Sequence, residues 1–335
     1  MKSLVFFSLF ALLIFNTSCD RVEIAYRDIP DLDSTFYPGV WGDYVLNEWP
    51  TFEQNTNTQR NILIDKFTGH TCTPCVTAAN IIRGVKDNNH DRVFYASIHA
   101  GPGGITNFQA FNQSADSFFT NHTNAISLAY GAYFQTGFGF IGNPGVLVNK
   151  ELFGGSQSSM FGPSADTQNR VNQIIQANDL RYNIQSIFNY FPETQGGYLH
   201  VEVEKIHQDN PDVDLIVYII QDSLRDWQSL PTTLGGGNIS DYKHTNKHLG
   251  NIDNQVWGQR LNFAEENKVY KDYSFGKPAG IEPENIHFLI FVSDAQTRRD
   301  YQVIRKKMVY CLLDSIKLNS RIFNLTYTTS YNLNR

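Results

Sequence analysis

Long basic runs are missing from this sequence, and its net charge is −6 over 335 residues. Without a basic stripe there is no electrostatic footprint for nucleic acid, so no nucleic-acid partner is expected. Mild acidity reads as solubility. Beyond Phe15 no apolar run approaches the roughly 20 residues that cross a bilayer. Internal repeats and low-complexity tracts are also absent. Cysteine is scarce, with four residues in all, and only two of them stand close together. What is present is the composition of a folded chain: 41% hydrophobic residues, with 24 Phe, 17 Tyr and 4 Trp. The length allows two ordinary domains.

The amino-terminal residues read as a targeting signal. Lys2 precedes "LVFFSLFALLIF" (Leu4 to Phe15), which is too short to span a bilayer, and Asn16, Thr17 and Ser18 lead to Cys19. Residues 1–18 are expected to be a signal peptide. Cys19 resembles the lipidated cysteine of the bacterial lipobox, with Asn16 where that motif usually carries Leu. The expected mature chain is tethered to a membrane surface through lipid on Cys19. That leaves Cys72, Cys75 and Cys311. An exported location permits disulfides, and Cys72 with Cys75 is the obvious pair. Cys311, in "MVYCLLDS", reads as a buried inert thiol.

Residues 19–58 read as a tether and irregular lead-in. From Asn61 the signals are clean. "NILIDKF" is a short strand apolar enough to be buried on both faces, "VTAANIIRGVKD" (Val76 to Asp87) is helical, and "RVFYASIHA" is a second strand. Strand, helix, strand with short loops makes a βαβ unit with parallel strands. Residues 101–131 look like a helical insertion, with a loosely helical pattern from Phe108 to Tyr130. Asn143-Pro144 opens another strand, and residues 164 to 178 read as a closing helix. Beyond residue 180 strands follow without helices: Tyr182 to Tyr190, Tyr198 to Ile206, Val213 to Gln221, Lys268 to Phe275, Ile286 to Ser293 and Tyr301 to Met308. In "YLHVEVEKI" Leu199, Val201 and Val203 alternate with His200, Glu202 and Glu204, which predicts a sheet with one wet face. The connection from Leu224 to Asn267 reads as a long loop. The expected architecture is an α/β thioredoxin-like domain over residues 59–180, followed by an all-β immunoglobulin-like sandwich over 181–335.

"FTGHTCTPC" places Cys72 and Cys75 between a strand and a helix. Unpaired N–H groups and the positive end of the helix dipole favour a thiolate on the first cysteine. Cys72 is thus the candidate nucleophile and Cys75 the resolving thiol. Pro74 holds the slot that proline has in the Cys-Gly-Pro-Cys motif of thioredoxins. In the same likeness Pro144 would be a cis-proline opposite the cysteines, its alternative being a trans proline that opens a strand. Thioredoxins also keep a carboxylate on the strand before the motif. Asp65 lies in the matching "LID" segment, with a loop to Cys72 one residue longer, and reads equally as an ordinary polar residue at a strand end. His70 could steady a thiolate or make contact with substrate, and His99 has a similar status, the alternative for each being an ordinary loop histidine bonded to water. A Cys/His metal site from Cys72, Cys75, His70 and His99 lacks the second ligand pair of structural zinc sites, so no metal and no cofactor are expected.

"NILIDKFTGHTCTPC", "IHAG" and "NPGVLVNK", in that order, resemble the family named after a 28-kDa outer membrane protein of Bacteroidota. "YKHTNKHL" (Tyr242 to Leu249) and "FLIFVSDAQTRRDYQV" (Phe288 to Val303) extend the likeness over most of residues 60 to 308. The resemblance implies an outer-membrane lipoprotein, on its periplasmic or surface face, with a thioredoxin-like domain and a β-rich carboxyl-terminal region. Thr71 stands where thioredoxins carry Trp. Two readings follow. One is a thiol-disulfide oxidoreductase acting on thiols or disulfides of exported proteins. The other is a non-catalytic lipoprotein with a static Cys72–Cys75 disulfide and a partner-binding sandwich, to which Trp227, Tyr242 and Trp257 could contribute.

Overall fold

The computed structural model describes residues 31–153, 162, 165–208, 211–263 and 266–308. The signal peptide, Cys19 and Cys311 lie outside the described residues. Those from Leu32 onward belong to one compact unit. A lead-in with short helical turns, among them α1 (Trp41–Asp43), precedes the first strand. The βαβ unit follows as expected, with β1 (Ile62–Thr68), α2 (Pro74–Asn89) and β2 (Val93–His99). β1 and β2 are parallel, and β3 (Gly145–Val148) joins the other side of β1 antiparallel.

Both faces of β1 are buried, which explains its dense apolar sequence. Ile62 and Ile64 pack with Ile82 and Val85 of α2, and with Val171 and Ile174 of α4 (Ala165–Ala177). Leu63 and Phe67 face the other way, against Tyr130 and Phe134 of α3 (Ala125–Phe138). The helical pattern expected from Phe108 becomes helix only after Asn124, whose side chain accepts the Ser127 N–H. Upstream, Asn112 and Asn121 bond their own backbone two residues on and hold the chain in turns instead.

The six strands expected after residue 180 are all present: β4 (Tyr182–Phe191), β5 (Gly196–Lys205), β6 (Val213–Gln221), β11 (Lys268–Gly276), β12 (Ile286–Asp294) and β13 (Asp300–Lys307). The Leu224–Asn267 connection is not a loop. It contains β7 (Leu224–Ser229), β8 (Asn238–His244), β9 (Lys247–Asn251) and β10 (Gln259–Arg260). These strands are polar and carry little alternation, so periodicity does not reveal them. β9 matters most, because it pairs with β2 on one side and β6 on the other. One sheet therefore runs β13-β12-β6-β9-β2-β1-β3 across the boundary expected near residue 180. β6 and β12 are apolar on both faces and need cover on both. Ile216, Tyr218 and Phe291 meet α3, while Val217, Phe288 and Ile290 meet the second sheet, β11-β5-β4.

The outer face of that second sheet is only partly wet, with Tyr270 exposed opposite Glu202. His200 and Glu202 are buried, because the lead-in crosses over them. Tyr44 Oη lies 2.7 Å from His200 Nε2, Trp49 stacks edge-on against the same ring, and Gln185 donates to the Glu53 carbonyl. Alternation identified the two faces correctly but cannot say what a distant segment will cover.

Candidate functional site around Cys72 and Cys75

β1 ends at Thr68, and Pro74 opens α2, so the intervening turn delivers both cysteines to the helix amino terminus. Cys72 and Cys75 form a disulfide. The Asn143–Pro144 peptide is cis. Its strand lies beside β1, with Gly145 opposite Phe67. Gln109 ties the two loops together by donating to the Thr68 carbonyl and to Asn143 Oδ1. Asn143 in turn donates to the Ala100 carbonyl.

Neither cysteine reaches solvent: Cys72 is 0% exposed and Cys75 2%. Two elements form the roof. From the insertion, Phe108 accepts the Thr71 N–H and Ala110 accepts from His70 Nε2 at 2.7 Å. Gly69 permits that approach, since a Cβ there would sit 2.2 Å from the Phe108 carbonyl oxygen. From the β7–β8 hairpin, Ser229 N–H donates to the His70 carbonyl and Gln228 Nε2 to the Cys72 carbonyl at 3.2 Å. Trp227, Tyr242 and Trp257 are all half-buried, so none is an open binding surface.

Asp65 does not face the cysteines. It lies on the α3 face of β1, where Lys150 Nζ is 2.9 Å away and itself pairs with Asp300 at 2.6 Å. Burial opposes the Lys150 charge, but the two carboxylates outweigh it and hold its pKa up. Asp300 is raised, chiefly by burial. The residue on the α2 face is Lys66. It lines a cavity of about 10 Å³ behind the disulfide, together with Cys75, Thr68, Ser97, His99 and His244. Period-two alternation from Ile62 and Ile64 places Lys66 there, and that signal was available in the sequence.

Sequence reasoning also missed most of a histidine cluster. His70, His99, His122 and His244 lie with neighbouring ring centroids 5.0 to 5.8 Å apart. Burial lowers all four pKa values, that of His244 to about 4. His122 Nε2 is 3.3 Å from Asp226 Oδ2 without an aligned hydrogen bond. His70 Nδ1 and His99 Nδ1 have no hydrogen-bond partner among the described residues. Among the described residues no three His, Cys, Asp or Glu side chains are arranged to hold a metal ion. The cluster is assembled from four separate segments, which is why no single motif marks it.

The sequence profile described as outer membrane protein Omp28 matches residues 132–310, more than half of the chain. The chain belongs to the Omp28 outer membrane protein family. The match begins beyond the Cys-x-x-Cys, so membership is carried by the cis-proline strand and the sheets after it. The family places the protein at the outer membrane, and no helix among the described residues is long and apolar enough to cross a membrane. No curated protein matches. HBP35 of Porphyromonas gingivalis has a similar fold, at 17% identity over 76% of each chain with a TM-score of 0.55. A domain of the outer membrane lipoprotein Omp28 from Porphyromonas gingivalis is 20% identical over 38% of this chain and 88% of its own, with a TM-score of 0.28.

Proposed function

We propose that this Omp28 family member exchanges disulfides with exported proteins through Cys72 and Cys75, from a thioredoxin-like layer anchored to the membrane by lipid on Cys19. The observation that carries this reading is the Cys-x-x-Cys at the start of α2, backed by a small cavity lined with ionisable side chains. A helix amino terminus favours a thiolate on Cys72, the attacking sulfur, while Cys75 resolves the mixed disulfide. Pro74 and Pro144 frame the site, and His70 ties it to the roof. Exposed Ile105, Phe119 and Ile141 on the surrounding loops suit a protein substrate. The packing of β4, β5 and β11 over β6 and β12 supports the sandwich half of the architecture.

A second reading has its own observation. Cys72 is sealed beneath two elements, as expected of a static disulfide in a partner-binding lipoprotein. The reduction potential of the couple, with turnover of a model disulfide, separates the two. A potential of roughly −120 to −270 mV with turnover that vanishes in Cys72→Ser supports exchange. A couple below about −300 mV without turnover leaves the structural reading.

A further inference from the structure

We propose that Lys66 is the proton-exchange partner and counter-charge of Cys75. The assignment rests on the exchange reading above and deepens it. Lys66 is 5% exposed and has neither an ion pair nor a hydrogen bond among the described residues. An uncompensated buried ammonium is costly and calls for an explanation. Reduction of the disulfide supplies one, because the group released into the cavity is the Cys75 thiolate.

An exported-protein thiolate attacks Cys72 Sγ, the sulfur–sulfur bond breaks, and its electron pair leaves on Cys75 Sγ. The Lys66 ammonium faces that anion across a cavity with room for at most about one water, and passes it a proton. In the reverse direction the neutral amine takes the Cys75 proton. The resulting thiolate then attacks Cys72 in the mixed disulfide and expels the partner's thiolate.

The other groups around Lys66 are worse suited. His99 of β2 and His244 of β8 line the same cavity, but burial lowers both, and the Lys66 charge adds to the effect. Tyr242 of β8 also lines the cavity, and burial raises its pKa. Arg83 of α2 acts on Lys66 through its charge and carries no labile proton at neutral pH. Lys247 of β9 acts on the histidines. Asp65 points to the opposite face. Burial, then Arg83, brings Lys66 down to about 8, close to an ordinary thiol. Proton transfer is easiest between groups so matched.

The test uses the full chain with Cys19 and Cys311 replaced by Ser. In reduced Cys72→Ser protein, ultraviolet thiolate absorbance follows Cys75 alone. Lys66→Met is expected to move its ionisation up by a pH unit or more, about tenfold less thiolate at pH 7. Lys66→Arg keeps the charge and so the ionisation. With Cys72 restored and loaded with thionitrobenzoate, Lys66→Met is expected to release the chromophore about tenfold more slowly than wild type at pH 7, in step with its lower thiolate fraction, and Lys66→Arg at about the wild-type rate. Unchanged Cys75 ionisation in a folded Lys66→Met chain would overturn the assignment. So would wild-type release in Lys66→Met, or a Cys75 titration moved only by His99→Gln or His244→Gln. The titration needs no substrate, so a wild type without turnover would sink the exchange reading and leave the Lys66 result standing.

Discussion

Residues 65 and 66 are neighbours on one strand, yet their side chains enter opposite kinds of interior. On the α3 face, Asp65, Lys150 and Asp300 form a buried ionic cluster in which the cation touches both carboxylates. On the α2 face, Lys66 shares a cavity with Cys75 and two histidines and has no counter-ion among the described residues. Buried charge that is paired behaves as a structural clip, and breaking it is expensive. Buried charge left unpaired costs stability and marks a place where chemistry supplies the partner. The same lysine-to-methionine change on the two faces should therefore have opposite consequences.

The largest effect is expected from Lys150→Met. It strands two carboxylates beneath Phe291, and breaking a buried pair in this way typically costs about 3–5 kcal/mol. Urea denaturation should show the midpoint falling at an unchanged slope. The Cys72–Cys75 potential should stay at the wild-type value. A loss below about 1 kcal/mol would erase the contrast between the faces.

Acid should attack the cluster on the cysteine side. His99 and His244 are lowered by burial in the folded chain, His244 to about 4, against roughly 6.5 when unfolded. Between those values the unfolded state binds protons that the folded state refuses, so stability falls as pH falls from about 6.5 to about 4. Each such histidine contributes a slope of up to about 1.4 kcal/mol per pH unit. Asp300 works the other way, because its raised pKa makes the folded state the better proton acceptor as pH falls. His248 and His287, away from the site, are lowered as well and add a background slope. Double replacement by His99→Gln and His244→Gln should flatten the urea-midpoint profile over this window, and an unchanged profile would remove the cluster from the account.

Most elements were legible because burial imposes period on sequence. β1, β2, β6 and β12 are apolar on both faces, and their bounds agree with the pattern to within a residue or two. The cysteine pair and Asn143-Pro144 were legible as motifs. Asp65 was assigned by likeness, and the alternation of the same strand contradicts that assignment by putting Lys66 on the helix face. β9 was missed because "KHLGN" pairs with β2 and β6 while its buried side chains are polar, His248 and Asn251 bonding Ser127 and Tyr130 of α3. Nothing in its side chains advertises a central strand. The roof over Cys72 was invisible for a similar reason, since its contacts are hydrogen bonds to backbone carbonyls from residues 36 to 159 positions away.

That roof offers a smaller test on the cysteine side. Gln228→Ala removes one amide donor from the Cys72 carbonyl, worth about 1 kcal/mol. If the β7–β8 hairpin must lift before a thiol can reach Cys72, reduction by dithiothreitol should accelerate several-fold, with overall stability falling by no more than that amount. Equal reduction rates in the variant and wild type would mean that the hairpin does not control access.

The change most telling in sign is expected from Lys66→Met at pH 7. Removing an unpaired buried ammonium should leave stability between unchanged and about 2 kcal/mol higher, against the clear loss for Lys150→Met. The direction with pH follows from linkage. Lys66 is lowered to about 8 in the folded chain, against about 10.4 unfolded. Between these values the unfolded chain holds the extra proton, so wild-type stability gains from this group as pH rises through the window. Lys247, also lowered to about 8, makes a similar contribution that survives in the variant. Denaturation midpoints from pH 7 to 10 should thus rise less steeply in Lys66→Met than in wild type. A loss of stability at pH 7 would mean that Lys66 already has a partner in the oxidised protein, and the two faces of β1 would then differ in geometry but not in kind.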